Sequence, residues 1–221
     1  TAFGFSAEDL DIVIESMASG AKEPTYCMGD DIPLAVLSNK PHLLYDYFKQ
    51  RFAQVTNPPI DPLREKLVMS LEMHLGKRGS PLKPNEKSAS GIHLNTPILN
   101  ELELAELKKL ELSTREIKTL MKVTGGSNDL HNAIKRLCET AENYVQEGCE
   151  ILILSDKGIN ANQTYISPLL AVGAVHHHLL RTGLRLKTSI VIETAQCWST
   201  HHIACLIGYG ASAICPWLTW E

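Results

Sequence analysis

The sequence lacks the marks of several large functional classes. No apolar run approaches the roughly 18 residues that a membrane-spanning helix needs, so no membrane span is expected. The net charge of -4 gives no basic surface of the kind that binds nucleic acid. No basic segment followed by an apolar one opens the chain, which argues against an export signal.

Paired cysteines and phosphate-binding loops are missing as well. Six cysteines are scattered without a CxxC pair, which predicts buried free thiols in a reducing compartment. Cys27 with a distant histidine is formally possible as a nucleophile, but a buried free thiol is the favoured interpretation. The segment 124–127 (TGGS) lacks the Lys-Ser/Thr of a P-loop, and 208–211 (GYGA) joins a helix to a strand, the wrong order for a dinucleotide fingerprint. Both read as structural turns, although backbone N–H groups of 124–127 could hold an anion.

What is present is typical of a soluble globular protein. The 221 residues are 44% hydrophobic and 21% charged, enough for one large domain or one and a half. The chain starts at Thr1 rather than Met and stops at Glu221 just after an apolar segment. We therefore expect a piece of a longer polypeptide.

The C-terminal third has the clearest pattern. Helices are predicted at 127–148, 168–181 and 200–208, and strands at 117–123, 151–154, 189–192 and 212–215. Continuous apolar strands that alternate with helices indicate a parallel sheet covered on both faces. In the long helix we expect Leu130, Ile134, Leu137, Ala141 and Val145 to face inward.

The N-terminal part is irregular. Ser6 is expected to cap a first helix, and Gly20 and Pro24 to end it. A second helix is predicted from Pro41, with Leu44, Tyr47, Phe48 and Phe52 on one face. Short helices follow after Asp61-Pro62 and after Thr96-Pro97, the latter anchored by Leu99, Leu102 and Leu107. Residues 76–95 are rich in Gly, Pro and polar residues and predict a loop.

Polar residues follow the predicted strands. In both a β/α barrel and a doubly wound sheet, functional groups gather at these ends, and the residues alone do not separate the two folds. Asp156 and Lys157 follow the strand 151–154 and could bind a ligand or contact another domain. The alternative is an aspartate that caps its own loop.

Two further segments invite a functional interpretation. Consecutive histidines occur at 176–178 and 201–202, but neighbours on a helix point about 100 degrees apart and cannot chelate one ion, so buried, hydrogen-bonded imidazoles are favoured over a metal-binding module. The segment 56–61 (TNPPID) is stiffened by two prolines that lack N–H donors. Its carbonyls could line a polar passage, or it could be a rigid interdomain turn.

The segments 28–38 (MGDDIPLAVLS) and 45–61 (YDYFKQRFAQVTNPPID) closely resemble the central domain of glutamate synthase, the ferredoxin-dependent type most of all. The resemblance is densest in residues 6–79 and 151–216 and weak in 80–115. It implies an α/β fold, a degenerate (β/α)8 barrel with an irregular helical N-terminal part. The expected division is 1–115 for the connecting region and 116–221 for the barrel-like part.

The resemblance also implies a function. In such enzymes an amidotransferase domain releases ammonia from glutamine, and an FMN domain uses it to make glutamate from 2-oxoglutarate with electrons from ferredoxin. This chain would link those two domains without catalysing a reaction, and Thr56, Asn57 and Ile60 would line the start of the ammonia tunnel. No cofactor or metal is expected in this segment, whereas FMN and an iron–sulfur cluster are expected elsewhere in an enzyme of the cytoplasm or plastid stroma. The alternative is an independent FMN-binding barrel oxidoreductase.

Overall fold

The structure is a computed structural model that describes residues 2–24, 34–48, 61–80, 82–83, 86, 90–110, 112–123, 126 and 128–221. The elements before the main sheet are short: a π-helical segment (Asp9–Ile14) that runs into α1 (Glu15–Gly20), 3-10 turns (Ala35–Leu37 and Leu44–Tyr47), α2 (Glu65–Val68), β1 (Met73–Leu75), β2 (Ile92–Leu94) and α3 (Glu101–Leu107). None of the described helices is long and apolar enough to cross a membrane.

The remaining elements alternate between strands and helices. They are β3 (Thr114–Lys118), β4 (Leu120–Lys122), α4 (Asp129–Gln146), β5 (Ile151–Ser155), β6 (Gln163–Tyr165), α5 (Pro168–Arg181), a 3-10 turn (Arg185–Lys187), β7 (Ser189–Glu193), α6 (Thr200–Gly208), β8 (Ala213–Cys215) and α7 (Trp217–Trp220). The predicted helices and strands of this region are confirmed to within two residues at most ends.

A four-stranded parallel sheet forms the centre, in the order β3-β5-β7-β8. Ile151 pairs with Ser189 and Ser155 with Glu193, so the predicted parallel pairing of these two strands is confirmed. Strands β5 and β7 are buried at every position because both faces of the sheet are covered. Alternation along β5 sends Leu152 to one hydrophobic cluster and Ile151 to the other.

The crossover helices α4, α5 and α6 share one face of the sheet. α4 packs on α5 and α5 on α6. Leu137, Ala141 and Val145 of α4 are buried, as predicted, whereas Leu130 is 40% exposed. Leu130 lies in the first turn, where the helix end leaves the inward side uncovered.

The opposite face of the sheet is covered by α3, because the chain reverses its direction across the sheet at this helix. Ile98 bridges to Ile214 in parallel, with Leu99 N–H donating to the Ile214 carbonyl at 2.8 Å. The segment 97–99 thus lies beyond β8, and α3 leads the chain back across the sheet to β3. Because crossovers are nearly always right-handed, a reversal of direction puts α3 on the other face. The described residues therefore form an open sheet with helices on both faces, so the α/β class is confirmed but barrel closure is not.

Two predicted elements are wrong in detail. The predicted strand 117–123 is two strands, because Thr119 donates its N–H to the Ser155 carbonyl while its own carbonyl accepts from Ile166. The chain there turns from the main sheet to pair β4 with β6 in antiparallel fashion.

Within the described residues, the predicted helix from Pro41 is a 3-10 turn. Residues 49–60 lie outside the described residues. Tyr47 and Phe48 are partly exposed, and the unpredicted Tyr45 is fully buried. The buried Tyr45 side chain is anchored by its hydroxyl, which donates a hydrogen bond to the Gln196 carbonyl at 3.0 Å.

Side chains cap the start of the N-terminal helix and the start of α3. Ser6 and Asp9 exchange hydrogen bonds, as expected for the first helix. α3 begins later than predicted because Asn100 accepts from Glu103 N–H and the Glu103 carboxylate accepts from Asn100 N–H, both at 2.8 Å. Leu104 is buried where Leu102, expected as an anchor, is 78% exposed.

We predict that Asn100→Ala lowers the free energy of unfolding by about 1 kcal/mol, because the backbone N–H of Glu103 in the first turn of α3 loses its acceptor. Asn100→Asp should restore most of the loss, and Asn95→Ala, at an exposed position of the preceding loop, serves as the control. Guanidinium denaturation measures the difference. Equal stability of Asn100→Ala and Asn95→Ala would contradict the role of the cap.

Candidate functional site

Polar side chains line up across the carboxyl ends of the four parallel strands. Lys118 is in register with Ser155, Ser155 with Glu193, and Glu193 with Cys215. Lys118 Nζ donates to Ser155 Oγ at 3.2 Å. These aligned positions share one face of the sheet, the face that α3 covers. This is the edge at which parallel α/β folds place their functional groups.

Asp156 follows β5 and is only 1% exposed. Its carboxylate accepts from Thr194 Oγ1 at 2.6 Å, from Ala195 N at 3.0 and 3.2 Å, and from Trp217 Nε1 at 2.8 Å. Burial raises the pKa of Asp156, despite the opposing effect of these donors, and the nearby Glu193 adds to the rise. Asp156 thus joins the ends of β5, β7 and β8 rather than capping only its own loop.

The Lys157 side chain lies at the same carboxyl ends of the strands as Asp156. Its Nζ donates to Glu101 Oε1, lies 3.5 Å from Glu193 Oε1 and sits 4.8 Å from the centre of the Trp217 ring. Burial alone would lower the pKa of Lys157, but Glu101 and Glu193 outweigh it and raise the pKa. The lysine therefore stays charged and neutralises Glu193, whose side chain is 6% exposed.

The edge has little capacity for acid–base or nucleophilic chemistry as arranged. Burial, followed by the charge of Glu193, raises the pKa of Cys215 to about 12, so the thiol stays protonated. Glu193 is paired with Lys157, and Asp156 is surrounded by donors. The charged groups of this edge thus have partners from the chain itself, whereas the buried Thr119 hydroxyl after β3 has none among the described residues.

A layer of aromatic side chains lies next to this edge. Phe3 stacks on Tyr165 at 4.9 Å between ring centroids and meets Trp217 edge-on at 5.8 Å. Gln196 Nε2 donates to the Phe3 carbonyl and to the Tyr165 hydroxyl. The N-terminal segment thus covers the loop that Asp156 holds.

The histidines have separate partners. His176 Nδ1 accepts from Arg185 Nε at 2.9 Å, and His178 Nε2 lies 2.6 Å from Glu142 Oε2. His201 Nε2 lies 2.9 Å from the Tyr45 carbonyl, and His202 stacks on the Tyr45 ring at 4.3 Å. Among the described residues, no group of three His, Cys, Asp or Glu side chains is placed to hold a metal ion.

Some predicted site residues lie outside the described residues. These are Thr56, Asn57 and Ile60 of the expected tunnel, together with Cys27 and most of 124–127. The structure does bring Asp156 and Lys157 together at the strand ends. Sequence reasoning missed their partners Glu101 and Trp217, because each comes from a distant segment that only the topology brings near.

We predict that His202 makes stability depend on pH. Burial, followed by the charge of His201, lowers the pKa of His202 to about 4 from an unfolded value of about 6.5. The unfolded state binds the proton first, so stability is full above pH 6.5 and is lost as the pH falls towards 4. Between pH 7 and pH 5 the wild type should lose about 2 kcal/mol relative to His202→Gln.

Urea denaturation at the two pH values gives this difference. His131→Gln, at an exposed histidine of α4, is the matched control. If the wild type and His202→Gln respond to pH in the same way, the buried imidazole is not the cause.

Comparison with known proteins places the chain in a family. The family model described as the glutamate synthase central domain matches residues 1–221. Ferredoxin-dependent glutamate synthase 2 of Synechocystis sp. is 62% identical over 224 residues, covering 100% of this chain and 14% of that protein. The ferredoxin-dependent glutamate synthase of Pyropia yezoensis is 56% identical over 223 residues, with the same coverage of 100% and 14%.

A plant relative matches equally well. Ferredoxin-dependent glutamate synthase 1, chloroplastic/mitochondrial, of Arabidopsis thaliana is 56% identical over 224 residues, covering 100% of this chain and 14% of that protein. The chain thus spans about 14% of the length of these relatives. A solved structure, the L230A mutant flavocytochrome b2 with benzoylformate, gives a TM-score of 0.33 at 15% identity, covering 54% of this chain and 26% of that one, too little to support any argument. On the family match and these identities, the chain belongs to the glutamate synthase central domain family.

Proposed function

We propose that this chain is the central connecting domain of a ferredoxin-dependent glutamate synthase. The observation that carries the proposal is the match of all 221 residues to the family model, together with 62% identity to a relative of that name. The relatives are about seven times longer, which supports a role as one domain of a larger polypeptide.

The enzyme as a whole converts glutamine, 2-oxoglutarate and reduced ferredoxin to two glutamates. In this proposal the amidotransferase and FMN-binding domains of the same polypeptide are the partners of this chain, and ferredoxin is the electron donor of the enzyme. FMN and an iron–sulfur cluster belong to other segments. Relatives named as chloroplastic, and a relative from Synechocystis, support a place in the plastid stroma or the cytoplasm.

The domain itself is proposed to be non-catalytic. The support comes from the strand ends, where Asp156 is held by three donors and Lys157 neutralises Glu193. A catalytic edge would keep a group free to meet a substrate. Lys157, whose side chain is 32% exposed, is the member of this set that could also contact a neighbouring domain.

We also propose that the parallel sheet is the remnant of a (β/α)8 barrel. Four parallel strands that neighbour one another in the order in which they occur along the chain, with α4, α5 and α6 on one face, correspond to half of such a barrel. Residues 1–115 would then be the connecting region and 116–221 the barrel-like part, with β3 spanning the boundary.

The tunnel assignment to Thr56, Asn57 and Ile60 is part of this proposal. Ammonia needs a narrow path that excludes water and offers transient hydrogen bonds. Two prolines remove N–H donors from the segment 56–61, and in this proposal its carbonyls accept hydrogen bonds from ammonia. Ile60 would supply the apolar wall.

We predict that Ile60→Ala or Ile60→Trp in the full-length enzyme uncouples the two half-reactions. Widening or blocking the path lets ammonia escape, so glutamine hydrolysis continues while less glutamate forms per glutamine consumed. Steady-state assays of the glutamine consumed and the glutamate formed give this ratio. A purely structural Ile60 would instead lower both activities together.

The matched control is Ile12→Ala and Ile12→Trp, because Ile12 is 46% exposed in the N-terminal helix. Circular dichroism and thermal unfolding establish that each variant is folded. An unchanged ratio in a folded Ile60 variant rules out the tunnel role of this residue.

A further inference from the structure

The amino end of the sheet, opposite the strand ends described above, holds an arginine, Arg185, that forms no ion pair with any acid of the described residues. Arg185 lies between α5 and β7 and is partly buried. Its Nε donates to His176 Nδ1 at 2.9 Å, its Nη1 to the Thr188 carbonyl at 2.7 Å and its Nη2 to the Gly210 carbonyl at 2.8 Å. Every acceptor is electrically neutral, since an Nδ1 that accepts belongs to an uncharged imidazole.

The packing around the Arg185 guanidinium leaves no room for a side chain at position 210. Gly210 has φ +116°, and a Cβ there would lie 2.2 Å from His176 Nδ1. Only glycine therefore lets the imidazole and the backbone close on the guanidinium from both sides. Three of the five N–H bonds of Arg185 are used, which leaves one on each terminal nitrogen.

A second arginine is brought to the same place by separate anchors. Arg78 N–H donates to the Leu186 carbonyl at 3.0 Å. Two residues earlier, Gly76 exchanges two hydrogen bonds with Ser189 Oγ, at 3.0 and 3.1 Å. These contacts fix the segment that carries Arg78 against the start of β7.

The two cations have no acid to compensate them within the described part of the chain. No Asp or Glu there forms an ion pair with Arg78 or Arg185. Burial, followed by the positive charge of Arg78, lowers the pKa of Arg185 to about 10. Arg185 is partly buried whereas Arg78 is exposed, so solvent screens part of their repulsion, and an anion bound between them would relieve the rest.

We propose that Arg78 and Arg185 form a carboxylate-binding site at the amino end of the sheet. The two remaining N–H bonds of the Arg185 fork suit a carboxylate, and Arg78 supplies the second charge. The carboxylate is either an Asp or Glu side chain from another part of the longer polypeptide or a free carboxylate in solution. The chain spans 14% of its relatives, so ample polypeptide exists to supply such a side chain.

Hydrogen exchange in the full-length protein tests the site. The readout is the exchange of residues 184–190, which have the same sequence in the wild type and in Arg78→Gln. If a carboxylate joins the two arginines, Arg78→Gln loses a charged hydrogen bond and this segment should exchange about tenfold faster. If no anion binds, removing one of two like charges relieves repulsion, and exchange should be unchanged or slower.

Two buffers separate the sources of the carboxylate. Faster exchange of Arg78→Gln in sodium chloride alone identifies a side chain of the polypeptide. A difference that emerges only in sodium glutarate at the same ionic strength identifies a free carboxylate. Unchanged or slower exchange in both buffers overturns the proposal.

Two variants control for charge and for position. Arg78→Lys keeps the charge without the fork and should restore part of the protection. Lys122→Gln removes the same charge from β4, at the other end of the sheet, and should leave residues 184–190 unaffected. An equal effect of Lys122→Gln would show that net charge, not the site, controls exchange, and would also overturn the proposal.

Discussion

The buried carboxylate of Asp156 is the interaction on which the carboxyl edge of this domain depends. It accepts from the loop after β7 through Thr194 and Ala195, and from the first residue of α7 through Trp217. These bonds are formed despite a burial cost that raises the pKa of the carboxyl. Once the loop is fixed, Gln196 can hold both the N-terminal segment at Phe3 and the hydroxyl of Tyr45. Segments more than 150 residues apart are thereby joined at one point.

The two ends of the sheet differ in how their charges are balanced. At the carboxyl end Lys157 forms ion pairs with both Glu193 and Glu101, so it binds the acids of this edge within the domain itself. At the amino end the acceptors of Arg185 among the described residues are all neutral. The contrast supports the proposal of a connecting domain that meets other parts of a longer protein through charge.

The sequence predicts the regular part of the fold well and the irregular part poorly. Strands β5 and β7 are continuous apolar runs, so their burial and parallel pairing could be anticipated. The 3-10 turn around Tyr45 could not, because one buried hydroxyl outweighs the apolar periodicity of its neighbours. The path of α3 across the second face depends on the pairing of residues 97–99 with β8. A segment of three residues is too short to show a strand pattern in the sequence.

The candidate site shows the same division. Asp156 and Lys157 stand out because they follow an apolar strand, whereas Glu101 lies 56 positions away and reaches Lys157 only through the topology. Arg185 carries no motif, and that it pairs with no acid in the described part of the chain is visible only once its neighbours are known. Local patterns thus identify one member of each contact, and the partner comes from the fold.

The most direct test of the structural role of Asp156 is urea denaturation of Asp156→Ala against Asp11→Ala, an exposed aspartate of the N-terminal helix. The substitution leaves the buried donors of Thr194, Ala195 and Trp217 without an acceptor. The free energy of unfolding should therefore fall by about 3 kcal/mol, whereas the Asp11 control should change by less than about 0.5 kcal/mol. Equal stability of the two variants would contradict the account.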